Sequence, residues 1–381
     1  MQSVTELLKT LIGIPSVNPE DETRPEFAGE ARMAEFIDGY LSNKGFATER
    51  IELKPGRPNI IARYGAEHPS RTLFIEGHMD TVSIANMTVD PFNANEECGR
   101  IYGRGASDMK GPTAAALWAM DDEVLEAIKL AGKQIGYLAC IDEEKGARGA
   151  RQMAETDFHC DEMLVLEPTQ LNLVLAHKAP AWIRVEVTGR AGHGAHPERG
   201  INAIEGMAKA IEIIRDVHQR HLPKNPHPLL GMPSINIGTI EGGQGTNIIP
   251  DRCCIGIDRR ILPGEDLSIF MADLNTQLSR LRESGHVLAI EVKSLAEGEA
   301  FETHDHARLV QRLQKAHPAA QRQGSAWFSD AGPLSACCDE IVVFGPGSIE
   351  QAHTKDEYID ITALQEGAAV LRDFLMAFAA E

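Results

Sequence analysis

Two histidines and three carboxylic acids stand out in this chain because of their types and their positions. They are His78 in Gly-His-Met-Asp, Asp108 in Ser-Asp-Met-Lys-Gly, Glu144 in Asp-Glu-Glu, Glu167 in Leu-Glu-Pro and His353 in Gln-Ala-His. Imidazole nitrogens and carboxylate oxygens can hold a pair of borderline divalent ions, and one carboxylate can bridge the two. Glu143 immediately precedes Glu144, which leaves an adjacent carboxylate free to act as a general base.

Each of these residues also has an ordinary structural explanation, as a solvated histidine, a turn residue or a helix cap. Their shared placement favours the chemical explanation, because four of these sites come after a short apolar run. The runs are 73–75 before His78, 135–141 before Glu143 and Glu144, 163–166 before Glu167, and 341–344 with a Gly-Pro-Gly turn before His353. In open α/β sheets, ligands bind beyond the carboxyl ends of the strands. The pattern therefore predicts one site at the edge of such a sheet.

These motifs resemble those of the dinuclear zinc amidohydrolases, a family that includes acetylornithine deacetylases, succinyl-diaminopimelate desuccinylases, aminoacylases and glutamate carboxypeptidases. The likeness runs through nearly the whole chain and is strongest in the stretches 77–81, 103–111, 142–144 and 345–359. The last stretch, GPGSIEQAHTKDEYI, is most similar to the acetylornithine deacetylases.

The resemblance implies a role for each candidate residue. His78 and Glu167 would hold one zinc ion, Glu144 and His353 would hold the other, and Asp108 would bridge them. Cobalt or manganese would be possible substitutes for zinc. Glu143 would be the general base, and Asp80 would orient His78 by accepting a hydrogen bond from its second ring nitrogen. The resemblance also implies a cis peptide bond between Asp108 and Met109.

The composition is that of a globular protein with an excess of acidic residues. The chain has 381 residues and is 43% hydrophobic, and its 37 Lys and Arg against 56 Asp and Glu give a formal net charge of -19. This charge opposes binding to nucleic-acid phosphates and to anionic lipid surfaces, so we expect neither as a partner. The sequence has no apolar run of membrane-spanning length, and its N-terminus lacks the features of a signal peptide, which favours the cytoplasm.

The order of predicted elements indicates an α/β protein with an inserted second domain. Residues 1–177 alternate helical and strand patterns, as in a doubly wound sheet. Between 178 and 293 the order becomes β-α-β-β-α-β, the split ferredoxin-like arrangement. The first pattern resumes in 294–381. Together with the resemblance, this order predicts a zinc-peptidase-like doubly wound mixed sheet that carries a ferredoxin-like α+β insert.

The predicted insert contains candidates for contacts with a substrate. His193 and His196 share one loop, and the resemblance favours His193 as the residue that stabilises an oxyanion, with His196 as the competing candidate. The Gly-rich loop 242–250 is typical of a turn between strands, and the resemblance adds a substrate contact by Asn247. Arg260 matches the family's arginine that binds a substrate carboxylate, with a structural salt bridge as the alternative. Arg259 points to the opposite face by strand alternation.

The resemblance implies metal-dependent hydrolysis of the amide bond of an N-acyl amino acid. N-acetylornithine is the expected substrate, as a step of arginine biosynthesis, and a desuccinylase, dipeptidase or aminoacylase activity is the alternative within the family. A catalytically silent metal-binding relative is the alternative from another class, and the presence of Glu143 argues against it. Family members with such an insert commonly form homodimers through it and deliver the His193 equivalent to the neighbouring subunit. We therefore expect a homodimer whose insert also acts as a lid.

Overall fold

The computed structural model of this protein describes residues 2–381 and divides the chain into two compact units. Unit 1 comprises Met1–Leu175, Glu302–Gln323 and Ser329–Glu381. Unit 2 comprises Ala176–Phe301 and Gly324–Phe328. The functions assigned to the sequence-based segments, catalytic for 1–177 and 294–381 and lid or dimerisation for 178–293, stay predictions.

Ten α-helices are formed by the described residues. They are α1 Val4–Ile12, α2 Ala31–Asn43, α3 Lys110–Ala119, α4 Asp122–Leu130, α5 Arg148–Ala154, α6 Ala203–Arg220, α7 Leu267–Glu283, α8 Arg308–Ala316, α9 Ala331–Leu334 and α10 Ile361–Ala380. In unit 1, α3 packs against α1 and α10, and α10 also packs against α4 and α8. Among the helices of residues 2–381, none combines the length and the apolar composition that crossing a membrane requires.

The strands fall into one large sheet and three smaller ones. They are β1 Ala47–Lys54, β2 Arg57–Gly65, β3 Thr72–His78, β4 Asn95–Glu97, β5 Arg100–Tyr102, β6 Gln134–Cys140, β7 Cys160–Val165, β8 Leu173–His177, β9 Ala179–Thr188, β10 Gly192–His193, β11 Ser234–Gly242, β12 Ile248–Ile249, β13 Arg252–Ile261, β14 Ala289–Glu297, β15 Phe301–Glu302, β16 Arg322–Ser325, β17 Cys338–Val343 and β18 Tyr358–Asp360. In unit 1, β18, β5 and β4 form a separate three-stranded sheet.

The large sheet of unit 1 is mixed, which confirms the predicted fold class. Its strands follow the order β1-β2-β6-β3-β7-β17-β8. Strand β3 pairs in parallel with β6 and β7, and β17 pairs in parallel with β7, whereas β1 and β2 are antiparallel. Nearly every side chain of β3 and β6 is buried, as expected for central strands that are covered on both faces. This burial explains the apolar runs 73–75 and 135–141 in the sequence.

Unit 2 follows the predicted order of elements, β9-α6-β11-β13-α7-β14. Its four-stranded antiparallel sheet has the order β11-β13-β9-β14. Side chains along β9 alternate between buried and more exposed positions, because only one face of the strand packs into the core of unit 2. Asn202 begins α6 by accepting hydrogen bonds from the backbone N–H groups of Ile204 and Glu205.

Several element bounds differ from those that the sequence predicts. Helical spacing over 28–45 predicts a helix, and the structure begins that helix three residues later, at Ala31. The apolar pattern of 287–292 predicts a strand, and that strand is β14, which begins at Ala289 and runs on to Glu297. The strands β1, β4, β5 and β18 are not predicted, because short or mostly exposed strands carry little apolar pattern. The strands that precede the candidate ligands are those that the sequence predicts.

Candidate metal centre

Three adjacent parallel strands of unit 1 bring predicted ligands to one edge of the large sheet. His78 is the last residue of β3 and pairs with Cys140, the last residue of β6. Glu144 follows β6, and Glu167 follows β7, which lies on the other side of β3. Since parallel strands end at the same edge, these side chains converge at the position expected for ligands of α/β sheets.

The remaining two candidates reach this edge by other routes. Asp108 directly precedes the N-cap of α3 and does not follow a strand of the large sheet. His353 lies in the segment between β17 and β18, in a left-handed conformation with φ 62°. The peptide bond between Asp108 and Met109 is cis, as the resemblance implies. Asp108 thus differs from the other four candidates, which lie at or beyond the ends of strands of the large sheet, and His353 lies ten residues beyond the end of its strand, β17.

The five predicted ligands form two groups that share Asp108. In the group of His78, Asp108 and Glu167, one potential ligand atom from each residue lies within 4.8 Å of the others. The ligand atoms of Asp108, Glu144 and His353 lie within the same distance of one another. The Oδ1 atom of Asp108 is 3.2 Å from His78 Nε2, and its Oδ2 atom is 3.4 Å from His353 Nε2. A carboxylate that offers one oxygen to each side is the arrangement that a bridged pair of divalent ions requires.

The donor atoms of these groups fit divalent metal ions. Each group supplies imidazole nitrogen and carboxylate oxygen, the donors that zinc and similar ions accept. Glu144 Oε2 lies 3.0 Å from His353 Nε2, while its buried Oε1 has no hydrogen-bond partner among the described residues. A buried carboxylate oxygen without a partner is costly unless a ligand satisfies it, which supports a cation at this point.

Asp80 contacts His78 through its backbone. His78 Nδ1 is 3.0 Å from the backbone oxygen of Asp80 but 3.7 Å from its carboxylate Oδ1, which is too long for a hydrogen bond. The carboxylate instead accepts hydrogen bonds from the backbone N–H groups of Glu143, at 3.1 Å, and Glu144, at 3.3 Å. Asp80 thus fixes both the ring of His78 and the turn that carries the predicted base.

Asn18 extends this network and was not identified from the sequence. Its Nδ2 donates to Asp80 Oδ2 at 2.8 Å and to Asp142 Oδ1 at 3.1 Å. Asp142 is also bound by Arg57 and Arg148. Asn18 and Asp80 are far apart along the chain, so no local pattern could have connected them.

Glu143 lies in neither ligand group and has the environment of a general base. Its side chain is only partly exposed, and burial raises the pKa of its carboxyl well above the ordinary value. The nearby carboxyl groups of Glu144, Asp330 and Asp108 raise that pKa further, while His78 opposes them. A carboxylate whose pKa is raised accepts a proton more readily than an ordinary carboxylate.

A third group of acidic side chains lies in the core of unit 1 and differs from the two ligand groups. It consists of Glu76, Cys140 and Asp330, all buried. Desolvation raises the pKa of Glu76 to about 8 and raises the pKa values of Cys140 and Asp330 well above their ordinary values. The group contains no imidazole and shares no carboxylate with a second group, so we assign it no metal ion.

Metal binding to this site should become tighter as the pH rises. Hydrogen bonds to Asp108 and Glu144 raise the pKa of His353 to about 10, and desolvation and Asp108 raise that of Glu144 to about 7. The ion-free cluster thus carries protons that a bound metal must displace. We expect the logarithm of the zinc association constant to rise by about one per pH unit for each proton released, between about pH 6 and 8. Calorimetry in buffers of different ionisation enthalpy measures the released protons, and an affinity that stays constant with pH would contradict the assignment.

The predicted substrate contacts His193 and Asn247 are neighbours in unit 2. Strand β10 pairs with β12, so that His193 lies opposite Ile248, and Gly194 N–H donates to the backbone oxygen of Asn247 at 2.8 Å. The His193 ring is exposed, and its Nδ1 accepts from the backbone N–H of Ala195 at 3.1 Å. The competing His196 is also exposed and lies 3.5 Å from Glu198. Roles for these residues stay predictions.

Arg260 and Arg259 point to opposite faces of β13, as strand alternation predicts. Arg259 is fully buried, lies 4.1 Å from the centre of the Phe270 ring and is paired with Glu265. Arg260 remains partly exposed, with its Nε 3.1 Å from Asp258 Oδ1. This ion pair is weak enough to exchange for a ligand, because exposed salt bridges contribute little stability.

Comparison with known proteins places these features in one family. The model of peptidase family M20/M25/M40 matches residues 74–377. An acetylornithine deacetylase from Edwardsiella ictaluri is 33% identical over 373 residues, which cover 94% of this chain and 93% of that protein.

Two solved structures share the fold. A tripeptidase from Staphylococcus aureus has a TM-score of 0.78, with 20% identity and coverage of 99% and 98% of the two chains. A dinuclear metal-binding peptidase of the M20 family from Bacillus subtilis has a TM-score of 0.72, with 13% identity and coverage of 99% and 98%.

Proposed function

The chain belongs to peptidase family M20/M25/M40 and is a hydrolase of that family, and from this premise we propose that it removes the acetyl group of N-acetylornithine. The main observation in support of this function is the shared carboxylate of Asp108, which directs one oxygen to each histidine. The substrate is supported by the acetylornithine deacetylase from Edwardsiella ictaluri, which matches nearly the whole chain. With this substrate we also propose a place in arginine biosynthesis and a location in the cytoplasm.

The proposed chemistry follows from the positions of the side chains. His78 and Glu167 would hold one ion, Glu144 and His353 the other, and Asp108 both, with zinc as the proposed metal. When bound, the two ions would lower the pKa of a water molecule and polarise the amide carbonyl. Glu143 takes a proton from that water and returns it to the departing amine. His193 donates a hydrogen bond to the oxyanion that forms as the carbonyl is attacked.

The substrate assignment can be tested by comparing kcat/KM on three compounds. Zinc-loaded protein should hydrolyse N-acetylornithine at least about tenfold more efficiently than N-succinyl-diaminopimelate or a simple dipeptide, a discrimination of about 1.4 kcal/mol. A tenfold preference for either of the other compounds would reject the acetylornithine assignment and favour the desuccinylase or the dipeptidase. Family membership would be unaffected, since it does not depend on the acyl group.

Replacing Arg260 by lysine should impair hydrolysis of substrates that carry a free carboxylate. A guanidinium binds a carboxylate through two parallel hydrogen bonds, which a lysine ammonium cannot reproduce although it keeps the charge. We expect Arg260→Lys to lower kcat/KM on N-acetylornithine by about 10- to 100-fold, the value of one charged hydrogen bond. Kinetics on N-acetylornithine and its carboxamide measure the effect. Equal losses on both compounds would instead indicate a structural ion pair with Asp258.

We further propose that two chains pair through the insert and that each delivers His193 to the other's metals. Mixing Glu143→Gln chains with His193→Ala chains tests this arrangement. Each hybrid dimer would retain one intact site, so random mixing should restore roughly a quarter of wild-type activity per chain. Native mass spectrometry verifies that hybrids form. If hybrids form and activity does not return, His193 does not act across the dimer.

A further inference from the structure

A buried ion pair in unit 1 lies beside the candidate ligands without belonging to them. Arg104 Nη1 is 2.6 Å from Glu357 Oε2, and the two side chains are 3% and 0% exposed. Arg104 precedes Asp108 by four residues, and Glu357 follows His353 by four. Burying a guanidinium and a carboxylate costs free energy that only good geometry and further hydrogen bonds can offset. The hydrogen bonds of this pair connect three segments of the candidate site.

The Glu357 carboxylate accepts hydrogen bonds from four groups of the loop that ends at Asp108. Its Oε1 accepts from the backbone N–H groups of Ser107, at 2.9 Å, and Asp108, at 3.0 Å. Its Oε2 accepts from the backbone N–H of Gly105 at 3.1 Å as well as from Arg104. Four donors thus converge on one carboxylate, and one of them belongs to the predicted bridging residue itself.

Arg104 ties the same loop to two other segments of the site. Its Nη2 donates to the backbone oxygen of Thr354, the residue after His353, at 3.3 Å. The same nitrogen donates to the backbone oxygen of Ser83, three residues beyond Asp80, at 2.9 Å. One ion pair therefore connects the segments that carry Asp108, His353 and the His78 motif, all within unit 1.

We propose that Glu357, held by Arg104, is a positioning residue. It fixes the loop of Asp108 so that the bridging carboxylate faces His353. The role rests on the proposed two-metal function but not on the identity of the acyl substrate. Only a carboxylate suits this position, because all four of its neighbours are donors. A glutamine would turn its NH2 group toward either the Ser107 and Asp108 amides or the Gly105 amide and Arg104, leaving donors facing donors in a buried site.

Metal affinity is the measurement that tests this role. Glu357→Gln should weaken binding of zinc and cobalt by about 10- to 100-fold in competition with a chromophoric chelator, the range seen when groups that support metal ligands are changed. Glu162→Gln is the matched control, since Glu162 is also fully buried and paired with an arginine, Arg312. The control should lower the melting temperature of the metal-free protein but change metal affinity by less than about threefold, because it does not touch the ligand loops.

One combination of results would overturn the proposal. If Glu357→Gln binds both ions as tightly as the wild type while losing thermal stability like Glu162→Gln, the pair is structural only. Arg104→Lys provides a second variant in case the glutamine protein does not fold. It keeps the charge but lacks the fork that reaches Ser83 and Thr354, and it should also weaken metal binding by about tenfold or more. Because no substrate is used, a failed acetylornithine assay would reject the proposed substrate and leave this result standing.

Discussion

Replacing Glu143 by glutamine should reduce turnover by about 10²- to 10⁴-fold, the usual contribution of a general acid–base residue. Glutamine keeps the size of the side chain but cannot accept a proton from water. Metal content should stay at two ions per chain, because Glu143 belongs to neither candidate ligand group. The measurement is kcat on N-acetylornithine together with metal analysis of the same preparation.

Glu126→Gln is the control for this experiment. Glu126 lies exposed on α4 in the same unit, and the same substitution there should leave kcat and metal content unchanged. Wild-type turnover in Glu143→Gln would refute the assigned mechanism. Loss of metal in that variant would show instead that Glu143 is a ligand and that the division between Glu143 and Glu144 is wrong.

The parts of the site that follow central strands could be predicted from the sequence. Strands β3, β6 and β7 are mostly buried and contain short apolar runs, so a polar residue at or just after the end of each run is conspicuous. Parallel pairing then requires that His78, Glu144 and Glu167 meet at one edge. The alternation that separates Arg259 from Arg260 on β13 is equally local, and the structure confirms it.

The same reasoning does not place Asp108, and for His353 it identifies only the preceding strand, β17. Asp108 precedes a helix, and His353 lies ten residues beyond the end of β17, in a left-handed conformation that apolar periodicity does not reveal. Only the resemblance supplied their roles. Both residues depend on loops whose shape is set by distant hydrogen bonds, such as those of Glu357 to the backbone before Asp108.

The groups that support the ligands are the least visible in the sequence. Asn18 reaches Asp80 across 62 positions of the chain, and Glu357 reaches Arg104 across 253. A single asparagine or glutamate has no periodicity, so its function depends on a partner that only the fold identifies. The same holds for the buried acids Glu76 and Asp330, whose proximity follows from the packing of α9 near the sheet.

Replacing Asp108 by asparagine should remove more metal than replacing any other ligand. A neutral carboxamide offers one oxygen, so it cannot bridge two cations, and its NH2 group would face one of the two ions as a donor. Glu167→Gln and Glu144→Gln should each weaken a single, different ion, because each belongs to one group only. Asp108→Asn should weaken both ions, and turnover should fall by at least about 10²-fold, the scale of losing one contact that stabilises the oxyanion.

Metal analysis after dialysis against a chelator distinguishes these variants. Asp373→Asn is the control, since Asp373 lies exposed on α10 in the same unit and should leave both ions in place. The prediction depends on the two oxygens of Asp108 serving different histidines, at 3.2 and 3.4 Å. If Asp108→Asn retained one ion at wild-type affinity, the carboxylate would serve a single ion. The two candidate groups would then be independent sites rather than one bridged centre.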